Sequence, residues 1–521
     1  METKNYLLYD RIFSQRDEKE ADFEEALPEY LPGIDRIVFA KAIPVVRYER
    51  FDEGKLQLGV RTVFKVMFVS DYKKQLKCTT FAKDTDFSFD VRATTVQGGE
   101  TRGVAGCIPD CSVLCTFISA KPAGSRHINI RAKICANAAA YSPVYEALPT
   151  FCTRGDEGIV CLEKTIPTIV VSKGEGEEVR ITKELTLEQE MPSIAEIVDA
   201  SVEMCVGGVR HDESDRASVS GNAVFRALYR TEDDTYVTLI QEFPYTSEIA
   251  VHDDGENCNA CAYKVNVVPV SVTADSSPDN YGENRVLSLG IVASVTAVKY
   301  CQQSATLCED AFCESFDCNV NVKSYPAKRI AGTLQECFEL SGGISSSGKE
   351  ISQIIESSAT VCSASTEYME GKAVVNFKLA ASILGITPTG EIVFTEGILP
   401  LTAVFSESVE CSDDNLFFDT SVCVAGMDCK VSAGEIKCDV KVCIRSVVTE
   451  SMGVNGVSDV EVDMGTPVGR NSNELVIYYP TSSDTLWSVA KKYHVSPEAV
   501  KAANKISGNS FDKRTVIIPM K

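Results

Sequence analysis

Residues Gly54–Asp71 read GKLQLGVRTVFKVMFVSD. Apolar side chains alternate with polar or small ones along most of this stretch, the period of a strand with one face in a core. Similar text returns as GNAVFRALYRTEDD from Gly221 and as GKAVVNFKLAASILGITPTG from Gly371. Each copy runs into a turn cluster, SDYKK, TEDDT or TPTGE, and then into a second strand-like segment. Those segments are TFAKDTDFSFDV, IQEFPYTSEIAV and VFTEGILPLTAVF. The pattern predicts one β-hairpin at a fixed place in a repeated unit.

Working outward, the phrases LPGIDRIV at Leu31, MPSIAEIV at Met191 and KEISQIIE at Lys349 precede the three hairpins. They place Ile34, Ile194 and Ile351 at spacings of 160 and 157 residues. Downstream come HINIRAKICANAAAY (His127), RVLSLGIVASVTAVKY (Arg285) and EIKCDVKVCIRSVV (Glu435). Val, Ile and Thr crowd these segments, as suits a pleated, half-buried surface. The fold class is therefore mainly β: three repeated antiparallel β-sandwich-like domains, near 21–171, 181–340 and 345–450. SKGEGEE at Ser172 and SGGISSSGKE at Ser341 read as joints, and 451–474 reads as a flexible linker before a last domain at 475–520.

The chain has 521 residues, of which 44 % are hydrophobic and 24 % charged, enough apolar material for several cores. Its net charge of −23 repels phosphate backbones, so nucleic acid is excluded as a partner. From Ser472 to Lys521 seven Lys/Arg stand against four Asp/Glu, a net of +3, which leaves −26 on the rest. The amino terminus METKNYLLYDRIFSQRDEKEADFEE lacks the apolar core of a secretory signal. The longest apolar run, LSLGIVASVTAV from Leu287, is too short and too broken for a membrane span. A cytoplasmic location is the expectation.

An odd count of 21 cysteines in such a chain points to reduced thiols acting as small core hydrophobes. Cys258-Asn-Ala-Cys261 has no second elbow, and the cluster Cys308, Cys313, Cys318 has no His at metal-ligand spacing, so no metal or other cofactor is expected. His127, His211, His252 and His494 have no recognisable catalytic partners. The acidic runs at Glu232–Asp234, His252–Asp254 and Ser412–Asp414 read as solvated turns. No phosphate loop, G-x-S-x-G elbow or H-E-x-x-H motif occurs. Triplication suits an extended binding surface, so the chain reads as a non-enzyme.

In the last fifty residues, LVIYYP (Leu475–Pro480) reads as a strand and TVIIPM, from Thr515, as another. Ser483 and Asp484 are N-cap types for a helix whose apolar face is Leu486, Val489, Ala490 and Tyr493. Ser496 caps a second helix with Pro497 at its first position, and Asn504 is suited to end it. The order is βααβ. A shallow groove is expected between the strand-to-helix turn and the loop after the second helix. It would be lined by Ser483, Asp484, Thr485, Leu486 and Trp487, then Lys505, Ile506 and Gly508. Trp487 reads either as a groove contact or as a core residue, and Asp484 as a groove residue or only a cap.

These residues carry a resemblance. Asp484-Thr485-Leu486-Trp487, Val489-Ala490, Tyr493, Val495, Asn504 and Val516-Ile517-Ile518-Pro519 resemble the LysM domain, with Ser483 where that family usually has Gly. The resemblance implies binding of N-acetylglucosamine chains such as peptidoglycan. The three-fold P-x-I-x-x-I-V-type phrases before a terminal LysM resemble the spore-coat-associated repeats of clostridial-type bacteria. That likeness implies a spore coat morphogenetic scaffold made in the mother cell and placed at the forespore surface. Its implied partners are other coat proteins and a stage IV sporulation protein A-like coat ATPase, which the LysM domain binds instead of sugar. The alternative is a peptidoglycan-binding envelope protein.

Overall fold

The hairpin text does fold into hairpins. The computed structural model describes residues 2–91, 106–150, 158–176, 178–211, 216–251, 258–345, 350–409, 415–432, 435–468, 475–506, 508, 511 and 515–520. The first repeat comprises β1 (Glu2–Ala26), β2 (Ile34–Asp52), β3 (Lys55–Ser70), β4 (Leu76–Asp90), β5 (Ile108–Pro122) and β6 (His127–Thr150). Its two layers are the antiparallel sheets β1-β6-β5 and β2-β3-β4. Glu53 and Gly54, with φ of +46° and +80°, make the two-residue turn that pairs Asp52 with Lys55. Positive φ at both positions fits the right-handed twist of the flanking strands. The alternation in β3 is real: Leu56, Leu58, Val60, Phe64, Val66 and Phe68 are all at most 1 % exposed and face Ile128, Ile130 and Ile134 of the other layer.

The second repeat comprises β7 (Ile159–Gly176), β8 (Val179–Thr186), β9 (Ile194–His211), β10 (Arg216–Thr231), β11 (Tyr236–Ala250), β12 (Ala260–Pro278) and β13 (Asn284–Cys313). β8-β13-β12 and β9-β10-β11 form the same two layers, joined through β7. The third comprises β14 (Phe316–Ser345), β15 (Gln353–Met369), β16 (Lys372–Ile386), β17 (Ile392–Val404), β18 (Leu416–Ser432) and β19 (Glu435–Pro467), in sheets β14-β19-β18 and β15-β16-β17. Glu370 and Gly371 repeat the turn of Glu53 and Gly54, at φ +51° and +81°. Each repeat has its own core.

The long outer strands overshoot these cores. The first half of β1 pairs with the end of β6, β7 with the end of β13, and the first half of β14 with the end of β19. The three ribbons meet as a stem around Tyr6, Leu8, Val144, Leu148, Ile166, Leu307, Tyr325 and Ala327. Residues 451–474 were expected as a linker, but Ser451–Asp463 pair with Asp317–Lys328 and the strand runs to Pro467. Its Gly- and Asp-rich text belongs to a ribbon with one wet face, while Val457 on the other face is 1 % exposed. Similarly, Ser172–Glu175 pair with Thr296–Lys299 and Ser341–Ser345 with Glu435–Asp439, where joints were expected. The acidic run Glu232–Asp234 does form the β10–β11 turn, whereas those at 252–254 and 412–414 lie outside the described residues.

The repeats close into a ring with approximate threefold symmetry. Lys65 Nζ of β3 donates to the Ala200 carbonyl of β9 at 2.9 Å, and Arg226 of β10 donates to the Ser357 carbonyl of β15 at 3.1 Å. These are the same head-to-tail contact made twice. Arg36 closes the circle by donating to the Ile392 carbonyl of β17 at 2.7 Å. Met67, Leu228 and Leu384 hold matching places in β3, β10 and β16 and meet in an apolar plug with Val38, Val198 and Ile355. A second centre joins the equivalent strands β5, β12 and β18. Lys264 of β12 lies 2.8 Å from Asp110 of β5 and 2.9 Å from Asp419 of β18. The three face Val298, Ala139 and Val447, so they occupy one repeated position.

The cysteines depart from the reduced reading. Disulfides join Cys205–Cys423, Cys258–Cys301 and Cys337–Cys443. The first ties the second repeat to the third. Cys258 and Cys261 of the C-x-x-C do lie close together, with sulfurs 3.1 Å apart, but Cys258 bonds Cys301. Others, such as Cys135 and Cys438, are buried as expected.

Candidate functional site

The terminal module consists of β20 (Leu475–Tyr478), α1 (Leu486–Tyr493), α2 (Pro497–Asn504) and β21 (Val516–Pro519), the βααβ order read from the sequence. β20 and β21 pair antiparallel, Leu475 to Pro519 and Tyr478 to Val516. Its small core is Leu486, Val489, Val495, Val500, Val516 and Ile518. Ser496 caps α2 with Pro497 behind it, as the residue types require.

Two local devices differ from the sequence reading. Thr485, not Ser483 or Asp484, caps α1. Its hydroxyl accepts from the Ser488 amide at 3.1 Å, and the Ser488 hydroxyl accepts from the Thr485 amide at 2.9 Å. That is a capping box with Ser in place of Glu. Asn504 is the last residue of α2, and the left-handed C-cap is Lys505 at φ +54°. Asn504 is 5 % exposed and its amide is fully used. It donates to the Val500 and Ile517 carbonyls at 2.9 and 2.6 Å and accepts from the Ile517 amide at 2.7 Å. One side chain thus fastens the second helix to β21.

The expected site residues divide. Asp484 folds back into its own turn, accepting from the Thr481 amide at 2.7 Å, the Thr481 hydroxyl at 2.9 Å and the Tyr478 hydroxyl at 2.9 Å. The Thr481 amide, then the two hydroxyls, hold its carboxyl below the usual range. Leu486 is 2 % exposed and belongs to the core, so it leaves the groove set. Ser483, Thr485, Lys505 and Gly508 are exposed and Ile506 is half-buried. A side chain added at Gly508 would meet nothing within 4 Å. Residues 507, 509 and 510, in the loop that would form the other wall, lie outside the described residues.

Trp487 is neither core nor groove. With Lys491 and His494 it lines a flank of α1 beside the core face, and that flank meets the end of β13. The indole donates to Asp310 at 2.8 Å, and Lys491 donates to both oxygens of the same carboxylate at 2.6 and 2.8 Å. The spacing of Trp487, Lys491 and His494 at i, i+4 and i+7 is the signal that could have marked this second face.

Sequence reading also missed the outer face of the small sheet. Leu475, Ile477, Tyr479 and Ile517 are 51, 56, 69 and 42 % exposed. The signal was in LVIYY: a strand that is apolar at every position has an apolar face left over once one face enters the core.

Among the described residues no group of three or more His, Cys, Asp or Glu stands together as a metal site, and no helix is long and apolar enough to cross a membrane. The terminal module is of a recognisable class: a LysM domain family model matches residues 481–510. Neither the curated proteins nor the solved structures include a match to the chain. A LysM domain points to binding of peptidoglycan or a similar N-acetylglucosamine polymer.

Proposed function

We propose that the chain is a non-enzymatic scaffold of spore coat assembly. In this reading its LysM module docks on a protein, a coat ATPase of the stage IV sporulation protein A type, at the forespore surface on the mother-cell side. The single observation behind protein docking is the bare apolar face of Leu475, Ile477, Tyr479 and Ile517. Sugar recognition relies on a few aligned polar groups in a concave site. An exposed apolar sheet face is instead a surface for another protein. The ring supports the scaffold role, because three similar units closed head-to-tail offer three similar outer surfaces. The sporulation setting rests on the resemblance of the repeats. The second reading, peptidoglycan binding in the envelope, is favoured by the family match at 481–510.

The test uses the whole chain with Ile477→Asp and, separately, Gly508→Phe. Capture of the ATPase and co-sedimentation with purified peptidoglycan are measured side by side. Under the scaffold reading Ile477→Asp abolishes capture, at least about a tenfold loss for one buried anchor, and Gly508→Phe does not. Sedimentation with the wall that fails only in Gly508→Phe, without ATPase capture by the parent chain, would replace this reading with the envelope one.

A further inference from the structure

The apposition of α1 and β13 joins parts of the chain that sequence treats as separate. Asp310 sits near the end of β13, three residues from its last member, Cys313. Its two oxygens receive the Lys491 ammonium and the Trp487 indole N–H. Phe312, next but one along the strand, is only 2 % exposed. Its ring meets Trp487 edge-on at a centroid distance of 5.2 Å and His494 at 6.3 Å. His494 Nδ1 lies 2.8 Å from the Cys313 carbonyl. A helix flank thus packs on an aromatic side chain near the end of β13.

We infer that this contact is a latch: it holds the LysM module on the stem with the Trp487–His494 flank of α1 closed and the apolar sheet face open. The exposures of Leu475, Ile477, Tyr479 and Ile517 apply with the module in place, so the latched state still presents that face. The sign of charge agrees. A segment of net +3 lies on a body of −26. The latch is also weak enough to open. The Lys491 and Asp310 side chains keep 41 and 32 % of their exposure, so solvent and salt screen the pair. Burial opposes the charge on Asp310, and the Lys491 and Trp487 hydrogen bonds outweigh it, keeping the carboxyl below its ordinary range. A partner that needed Trp487 would first have to displace the stem. One that uses the sheet face would not.

The chain's only tryptophan is the reporter. In the intact protein, Trp487 emission should be blue-shifted and shielded from acrylamide. Asp310→Lys and Lys491→Glu, made singly, should each raise the open-to-closed ratio on the order of tenfold, since each breaks the ion pair and also sets like charges face to face. The double swap Asp310→Lys with Lys491→Glu should restore shielding. Lys491 is only partly covered, its side chain keeping 41 % of its exposure, so its variant decides the matter if Asp310→Lys does not fold. The latch is overturned if Trp487 in the parent chain is as quenchable as in the urea-unfolded chain. It is equally overturned if neither single variant changes quenching.

Discussion

The repeats and the LysM module attach to their neighbours by different physics. Repeat meets repeat through buried groups: the Met67, Leu228 and Leu384 plug, the Lys264 centre, the Cys205–Cys423 disulfide. The module meets the stem through one carboxylate, two edge-on ring contacts to Phe312 and one carbonyl contact, with solvent at the edges. At about 1.5–3 kcal/mol per buried large apolar side chain, the plug alone outweighs a half-exposed ion pair worth roughly 0–1 kcal/mol. The ring is therefore expected to unfold as one body, and the module to open or unfold separately.

The largest effect expected is at Lys264. Its side chain is 16 % exposed, and those of Asp110 and Asp419 are 11 and 12 %. Burial disfavours the ammonium, but the two carboxylates overcome this and raise its pKa above the ordinary value. Tyr300 adds a hydrogen bond to Asp419 at 2.7 Å. Lys264→Met leaves two like charges buried and uncompensated, at a cost of about 3–5 kcal/mol. Urea unfolding of the body should register that loss, while the module's own transition stays in place. Equal loss in both would show the two regions to be one cooperative unit.

Next is a pH effect confined to the ring. Burial, then the neighbouring charge of Asp199, raises the Glu356 pKa to about 7, against the attraction of Lys65, Arg226 and Lys41. A carboxyl whose folded pKa lies above its unfolded value binds more protons in the native state. Stability is then fully present below the unfolded pKa, near 4.3, and is lost as pH rises through 7. Over that window the loss is on the order of 2–3 kcal/mol. Glu356→Gln should flatten the fall in melting temperature between pH 5 and 8. It should not abolish it, because burial raises Glu203 in the same direction. A parent chain that is more stable at pH 8 than at pH 5 would contradict this assignment.

A third, smaller effect belongs to the module. Asn504→Ala strips partners from the Ile517 amide and carbonyl and from the Val500 carbonyl, at about 1–3 kcal/mol. Red-shifted Trp487 emission with an unchanged body melt would confirm the separation of the two regions. An unshifted module would mean that water replaces the amide without loss.

How much of this was legible follows the same divide. The hairpins, the βααβ order and the cores showed in sequence because they are local and periodic: Leu56, Leu58 and Val60, or Leu486, Val489 and Ala490. The ring did not, because its contacts join residues more than a hundred positions apart with no shared period, such as Lys65 with Ala200. The joints and linker are strands instead, because Gly- and Asp-rich text reads as flexible by itself while partner strands roughly 90 to 150 residues away supply the ladder, and Ser458 also donates to the Asn321 carbonyl. In the module, Asp484, Leu486 and Trp487 make contacts that no local period announces: a turn, the core and the end of β13. Trp487 looked like a module residue, and only the position of Asp310 shows which way it faces.

The smallest effect tests whether the module is a folding unit in its own right. Thr485→Ala removes one arm of the capping box, and Ser488→Ala removes the other, each costing about 1 kcal/mol of helix stability. Because the arms share the same two residues, the double variant should lose less than the sum. Native-state hydrogen exchange reads this directly. The α1 amides should exchange roughly fivefold faster in either single variant, from the same 1 kcal/mol. Amides of β3, β10 and β16 should keep their parent rates if the latch is as weak as its exposure implies. Faster exchange in those strands as well would mean that the Asp310 contact carries module stability into the ring, and the contrast between the two attachments would fail.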